Sequence, residues 1–247
     1  LGPESGLRIA PMDVHRDAMH LPSSSVPVIV MPWIGGASMH LCAREAAKRG
    51  DKDTLTELAD RMEEMGRGMR ENGFDHGDIS GSNIIVDEDG ELWLIDPDTL
   101  RHRSIEDDDF HLREVGHEHY AHPRRSNEEW EPDLYLFPLE LIVVSLNGLA
   151  ANPDLVVEFG NDDNSLLFKK TDLDDPFNSD LFDVLCDLLG ERARRLRLAA
   201  QSKSIPQANK IFPIPKRVEV KEVPVRGVIL PKSPLCSVSP DRRSVKT

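Results

Sequence analysis

Three residues in one short stretch have the types and spacing to hold a cation and move a proton: Asp78, Asn83 and Asp96. They lie in HGDISGSNIIVDEDGELWLIDPD, residues 76–98. Asn83-Ile84-Ile85-Val86 is apolar and strand-like, Asp87-Glu88-Asp89-Gly90 has turn chemistry, and Leu92-Trp93-Leu94-Ile95 is a second apolar run. This alternation predicts a β-hairpin, with Gly90 supplying a positive φ in the turn. A hairpin brings its outer ends together, so Asp78 and Asn83 should meet Asp96. Two oxygen ligands and a third carboxylate at one hairpin end suit a hard cation such as Mg2+. The competing reading is an acidic hairpin whose Asp and Asn residues only cap and turn.

The elements that must position this hairpin stand on either side of it. Val26 to Met31, VPVIVM, is β-branched and apolar and predicts a buried strand, followed by Pro32-Trp33-Ile34-Gly35-Gly36. Ala37 to Lys48 is helix-compatible and stops at Gly50. Leu55, Leu58, Met62, Met65 and Met69 recur at helical steps, predicting a core-facing helix that ends at Asn72-Gly73 and delivers the chain to His76. Asp133 to Leu149 reads as a helix apolar nearly all round, with Asp133 as its N-cap. A further helix is expected over 180–189, interrupted at Gly190 and continuing over 192–200. Leu7 to Ile9 could make a short strand, and Ser23 to Ser25 a loop.

The chemistry-bearing stretch resembles the protein-kinase-like superfamily. Its catalytic loop, H-R-D-x-x-x-x-N, corresponds to His76-Gly77-Asp78 with Asn83 five positions on, and Asp96-Pro97-Asp98 stands where D-F-G would be. Gly116 to Pro123, GHEHYAHP, is similar to the segment that packs under the substrate site, with Arg124 in place of its Glu. The stretch TDLDDPFNS, residues 171–179, extends the likeness to bacterial serine/threonine protein kinase-like proteins, from about Val26 to Ala200.

The resemblance implies an α+β, protein-kinase-like fold: a mainly helical C-lobe with a hinge strand and a catalytic-loop β-hairpin. It divides the chain into 1–36, the end of an N-lobe and the hinge; 37–200, the C-lobe; and 201–247, a Pro-rich basic tail read as a disordered linker. It implies ATP and Mg2+ as cofactors. Asp78 and Asn83 are then the catalytic residues, Asn83 and Asp96 the metal ligands, and Met31, Pro32 and Ile34 the adenine-binding positions. In that scheme Met31 is the gatekeeper and the backbone of Pro32 and Ile34 meets the base. Asp133 is implied to bond the backbone of the catalytic loop. The expected reaction is transfer of the ATP γ-phosphoryl group to a protein Ser/Thr hydroxyl. The alternatives are a pseudokinase-like binding module, or a small-molecule kinase of the aminoglycoside or choline type, favoured by Gly77 and the D-P-D triplet. The kinase first lobe supplies a Gly-rich loop and a Lys. Here about 30 residues precede the hinge strand, with no G-x-G-x-x-G and no Lys before Lys48. The resemblance therefore implies that most of the N-lobe lies upstream and that the isolated chain is inactive without it.

Charge divides the chain. Residues 1–191 carry 16 basic and 41 acidic side chains, a net −25, and residues 192–247 carry 14 and 3, a net +11. An acidic body is followed by a basic tail that offers itself to an acidic partner or links to another domain; its Ser233-Pro and Ser239-Pro dipeptides are candidate phosphorylation points. Nucleic acid and membrane are not expected partners; a protein or small-molecule phosphoryl acceptor is. The apolar run 134–151 is broken by Pro138, Glu140 and Asn147, too interrupted for a membrane span. Cys42, Cys186 and Cys236 are scattered and odd in number, which points to a reducing, cytoplasmic setting. The acidic run 106–109 reads as a solvated loop. His111, His117, His119 and His122 lack the i, i+4 spacing of common zinc enzymes and have no Cys nearby, so they are not read as metal ligands.

Overall fold

In the computed structural model, residues 7–21, 24–104, 116–126, 130–160 and 165–212 are described. The expectations for 106–109, His111 and the tail from 213 onward lie outside them.

Two helices and a hairpin form the centre of the site-bearing region. Helix α1 spans Met39–Lys48 and is capped by Ser38, whose hydroxyl accepts from the Leu41 amide. Helix α2, Lys52–Asn72, starts on the Asp51 cap and stops at Gly73, which takes a left-handed φ of 69°. Leu55, Met62, Met65 and Met69 of α2 are fully buried, as their spacing predicts. After α2 come β4 (Phe74–His76), β5 (Ile84–Val86), β6 (Leu92–Leu94) and β7 (Leu100–His102). Strands β5 and β6 are the expected hairpin, antiparallel with Ile84 opposite Leu94, and Gly90 in its turn has φ 79°. A two-residue strand, β3 (Ala37–Ser38), adds to β5, and β4 pairs with β7 so that His76 lies opposite Leu100.

Helix α3, Leu136–Ala151, is the hub of the helical layer. It is buried on nearly all sides, in contact with α2 and with α6 (Asp180–Leu189) and α7 (Glu191–Ala200). It begins three residues later than expected, after a turn over 132–135, and Asp133 does not cap it with its side chain. Short helices α4 (Leu155–Glu158) and α5 (Lys170–Asp174) fill the connections. The break at Gly190 is present, with φ 61°.

Three expectations change. Residues 13–21, whose sequence has little period, form a nine-residue strand, β1 (Asp13–Leu21), paired antiparallel with β2 (Ser24–Val30), so Ser24 and Ser25 belong to a strand and not a loop. The VPVIVM strand is not buried: Ile29 and Val30 are more than two-fifths exposed, because β1 is the one strand β2 pairs with among the described residues. The chain also does not leave the body at 201. Helix α8 (Ile205–Asn209) buries Ile205 and Ala208, and Phe212 packs toward Phe137 with its ring tilted. Leu7 to Ile9 contributes a single parallel bridge, Ile9 to Leu94. Among the described residues no helix is long and apolar enough to cross a membrane.

Candidate functional site

The loop between β4 and β5 brings Asp78 and Asn83 into direct contact. Asn83 Nδ2 donates to both the Asp78 carbonyl and Asp78 Oδ2, each at 2.9 Å. The amide nitrogen is thereby spent, and Asn83 Oδ1 is the side-chain atom left to act as an oxygen ligand. The Ile95 amide donates to the Asn83 carbonyl at 2.9 Å, so the hairpin ladder carries Asn83 to the doorstep of Asp96. The hairpin ladder thus places the Asn83 backbone beside Ile95, one residue before Asp96.

His76 makes the second link. The Asp78 amide donates to its Nδ1 at 3.1 Å, and its Nε2 lies 2.9 Å from the Asp96 carbonyl. An amide can only donate and a carbonyl can only accept, so Nδ1 is bare and Nε2 carries the proton. The ring is fully buried, and burial holds its pKa below the ordinary histidine value, which keeps it in that neutral form. One imidazole thus ties the loop holding Asp78 to the backbone of Asp96, twenty residues away.

Asp96 has φ 58° and ψ 68°. A non-glycine residue in the left-handed region costs about 1–3 kcal/mol and persists where its surroundings over-determine it. Here the His76 bond to its carbonyl and the short helical turn over Pro97–Thr99 that follows do so.

From the other side, the segment 116–125 closes over Asp78. The His117 amide donates to Asp78 Oδ1 at 2.8 Å. Gly116 has φ 79°, and a Cβ there would sit 3.0 Å from both Asp78 Oδ1 and the Gly77 carbonyl, so this close approach favours glycine. Asp78 therefore has one oxygen held by Asn83 and the other by His117. The Arg125 guanidinium lies near by; burial pushes its pKa down while the charges of Asp75 and Asp78 push it back up.

Beneath the loop lies a residue that local spacing does not single out. Asp75, 2% exposed, accepts the amides of Leu134 and Tyr135 at 3.1 Å each. Its partners are 59 and 60 residues away, at the head of α3. This corrects the role expected of Asp133. The loop is joined to the α3 head through Asp75, and Asp133, with φ 60°, instead pairs with Arg103. Burial, the largest influence, raises the Asp75 carboxyl to about 7 against the opposing pull of the two amides.

The histidines of 116–125 have structural partners. His119 Nδ1 accepts the Lys170 amide, and His122 Nε2 donates to the Ala199 carbonyl. Among the described residues no three His, Cys, Asp or Glu side chains gather as a metal cluster. A site of one carboxylate and one amide oxygen is not of that kind. Asn83 Oδ1 and the Asp96 carboxylate are the side-chain oxygens of this stretch that would serve as ligands of a hard cation. Met31, Pro32 and Ile34 lie on the extended linker between β2 and β3, with Met31 and Pro32 exposed and Ile34 half-buried.

Residues 23–110 match the family model of the RIO domain, RIO1. The RIO domain is an atypical protein-kinase-like family, and the matched stretch contains Asp78, Asn83 and Asp96. The match supports the kinase-like superfamily, with ATP-binding, phosphotransferase-like character, and not a bacterial serine/threonine kinase in particular. No curated protein matches the chain.

Proposed function

We propose that the chain carries the catalytic lobe of an ATP- and Mg2+-dependent phosphotransferase whose acceptor is a protein Ser/Thr hydroxyl. The observation that supports this reading best is the single bonded unit His76–Asp78–Asn83–Asp96, which holds a proton acceptor beside two oxygen ligands. Asp78 is the residue that orients the acceptor hydroxyl and takes its proton. Its carboxylate is fixed by Asn83 and His117, yet each oxygen keeps a further lone pair. Asn83 Oδ1 and the Asp96 carboxylate would hold Mg2+, which supplies charge neutralisation on the transferring phosphate. His76 positions both halves without touching either reactant. Positioning and charge stabilisation carry most of the rate in this reaction class. A small-molecule hydroxyl is the alternative acceptor, favoured by Gly77 and the D-P-D triplet. A binding-only module is the other alternative.

The test is phosphotransfer from labelled ATP with Mg2+, using the chain within the polypeptide that carries it in the cell, beside Asp78→Asn and Asp96→Asn. Labelled protein lost in both variants is the expected result. Transfer that survives both changes overturns the site. Label appearing only on added small-molecule alcohols moves the acceptor to the second class. Mg2+-dependent nucleotide binding without transfer moves the chain to the binding module.

A further inference from the structure

A second site lies between α2, α3 and α7, with no residue of the hairpin in its lining. Helices α2, α3 and α7, together with Phe212, line a cavity of about 340 Å3. That volume lies within the range of small-molecule sites, roughly 300–1,000 Å3. Its floor is apolar, formed by Leu136 and Leu139 of α3 with Phe212. Its rim is cationic. Arg67 and Arg70 stand one turn apart on α2, and Arg192 and Arg195 stand one turn apart on α7.

The charges at this rim are not equally committed. Arg192 places Nε and Nη2 each 3.0 Å from the Glu140 carboxylate and turns Nη1 to Glu63. The two acids of the cavity are thus neutralised by one guanidinium. Arg195 bonds Glu191 at 3.2 Å. Arg67 Nε is buried with no hydrogen-bond partner among the described residues, while Arg70 stands beside the Tyr135 hydroxyl. A buried guanidinium N–H left unpaired is costly, and a bound oxygen is the remedy. Arg67 and Arg70 belong to residues 1–191, whose net charge is −25, so these two cations stand out against an acidic stretch of chain, whereas Arg192 and Arg195 belong to the basic segment 192–247.

We propose that this groove binds a small amphipathic anion: an apolar body of one or two rings, or a short chain, ending in a single carboxylate, sulfonate or phosphate. The head group lies between the Arg67 and Arg70 guanidinium groups, which favour the planar, two-pronged recognition of such oxyanions. The body lies on Leu136, Leu139 and Phe212. The basic tail is not the occupant, since residues 213–247 carry 8 basic and 3 acidic side chains and share the sign of the rim. This site does not depend on the proposed phosphotransfer.

The probe is 2-naphthalenesulfonate, titrated calorimetrically into the full chain and into the Arg67→Gln/Arg70→Gln double variant. Saturable one-to-one binding, weakened at least tenfold in the double variant and by raised salt, is expected. Asp96→Asn and saturating Mg2+-ATP should leave it unchanged. Phe212→Ala, which keeps the arginines, should weaken it through the body alone. The inference is overturned by the absence of saturable binding, by equal affinity in the double variant while circular dichroism shows it folded, or by loss of binding in Asp96→Asn.

Discussion

His76 Nε2 lies 2.9 Å from the carbonyl of Asp96, and the same ring accepts the Asp78 amide on its other nitrogen. A neutral imidazole therefore ties the loop of Asp78, the proposed proton acceptor, to the backbone of Asp96, the proposed metal ligand. Replacing it with Phe keeps the ring but strands one buried amide and one buried carbonyl. At about 1–3 kcal/mol for each stranded group, His76→Phe should lose roughly 2–6 kcal/mol of stability. Urea unfolding measures this. The Mg2+ concentration needed for half-maximal phosphotransfer should rise as well, which a purely structural loss would not produce in the fraction that stays folded.

The Asp75 carboxyl gives a pH prediction. Its folded-state pKa is about 7, against 3.8 for the free group. Between those values the native chain holds a proton that the unfolded chain has released. Stability from this group is therefore fully present below the unfolded value and is lost as pH rises through 7, by an amount on the order of 4 kcal/mol over the whole window. His76 works in the opposite sense: its lowered pKa contributes stability above the ordinary histidine value that is lost as pH falls. Asp75→Asn should remove the decline toward neutrality and leave the acid-side loss. Chemical denaturation at pH 5, 6, 7 and 8 on both proteins separates the two slopes, and parallel curves would refute the assignment to Asp75.

The hairpin and α2 were legible in the sequence for physical reasons. An apolar run, an Asp-Glu-Asp-Gly turn and a second apolar run can be satisfied by few local geometries, and Leu55 to Met69 repeat at the helical period between Asp51 and Gly73. The contact of Asp78 with Asn83, and their approach to Asp96, follow from that hairpin. Strand β1 was not legible. DVHRDAMHL has no alternating pattern, because its exposed Val14 and Met19 are not sorted to a buried face, and pairing with β2 rather than burial holds it extended. The Asp75 link was hidden for a different reason. It joins residues about sixty positions apart through backbone amides, which leave no mark on residue type at the far end. The expectation placed the acid on α3, at Asp133, when the loop strand provides it. Gly116 carried a readable signal, a glycine opening the GHEHYAHP segment, but only the fold shows that it faces Asp78.

Gly116 supplies the third prediction. Ala at φ 79° is strained by about 1 kcal/mol, and its methyl would press on Asp78 Oδ1 and the Gly77 carbonyl at 3.0 Å. The neighbour under pressure is the proposed proton acceptor, so turnover should fall further than stability does. Gly116→Ala is expected to lower kcat at least tenfold while leaving the KM for Mg2+-ATP within about twofold, since Asn83 and Asp96 are not displaced. Equal loss of nucleotide affinity would show that the segment supports the metal side as well.

Asp87 fixes the far end of the hairpin. Its Oδ1 accepts the amides of Asp89 and Glu91 at 3.0 and 2.8 Å, and its Oδ2 accepts the indole N–H of Trp93 at 2.8 Å. One carboxylate therefore holds both the turn and the strand that leads to Asp96. The turn is partly exposed, so each bond contributes little: Asp87→Ala should cost about 1–2 kcal/mol in all. The consequence at the site is larger than that cost suggests, because loosened register between β5 and β6 separates Asn83 from Asp96. We expect the variant to remain folded, to show altered Trp93 emission, and to need several times more Mg2+ for half-maximal transfer. Unchanged Mg2+ dependence would mean that the Asn83–Ile95 and His76–Asp96 bonds alone hold the two ligands in place.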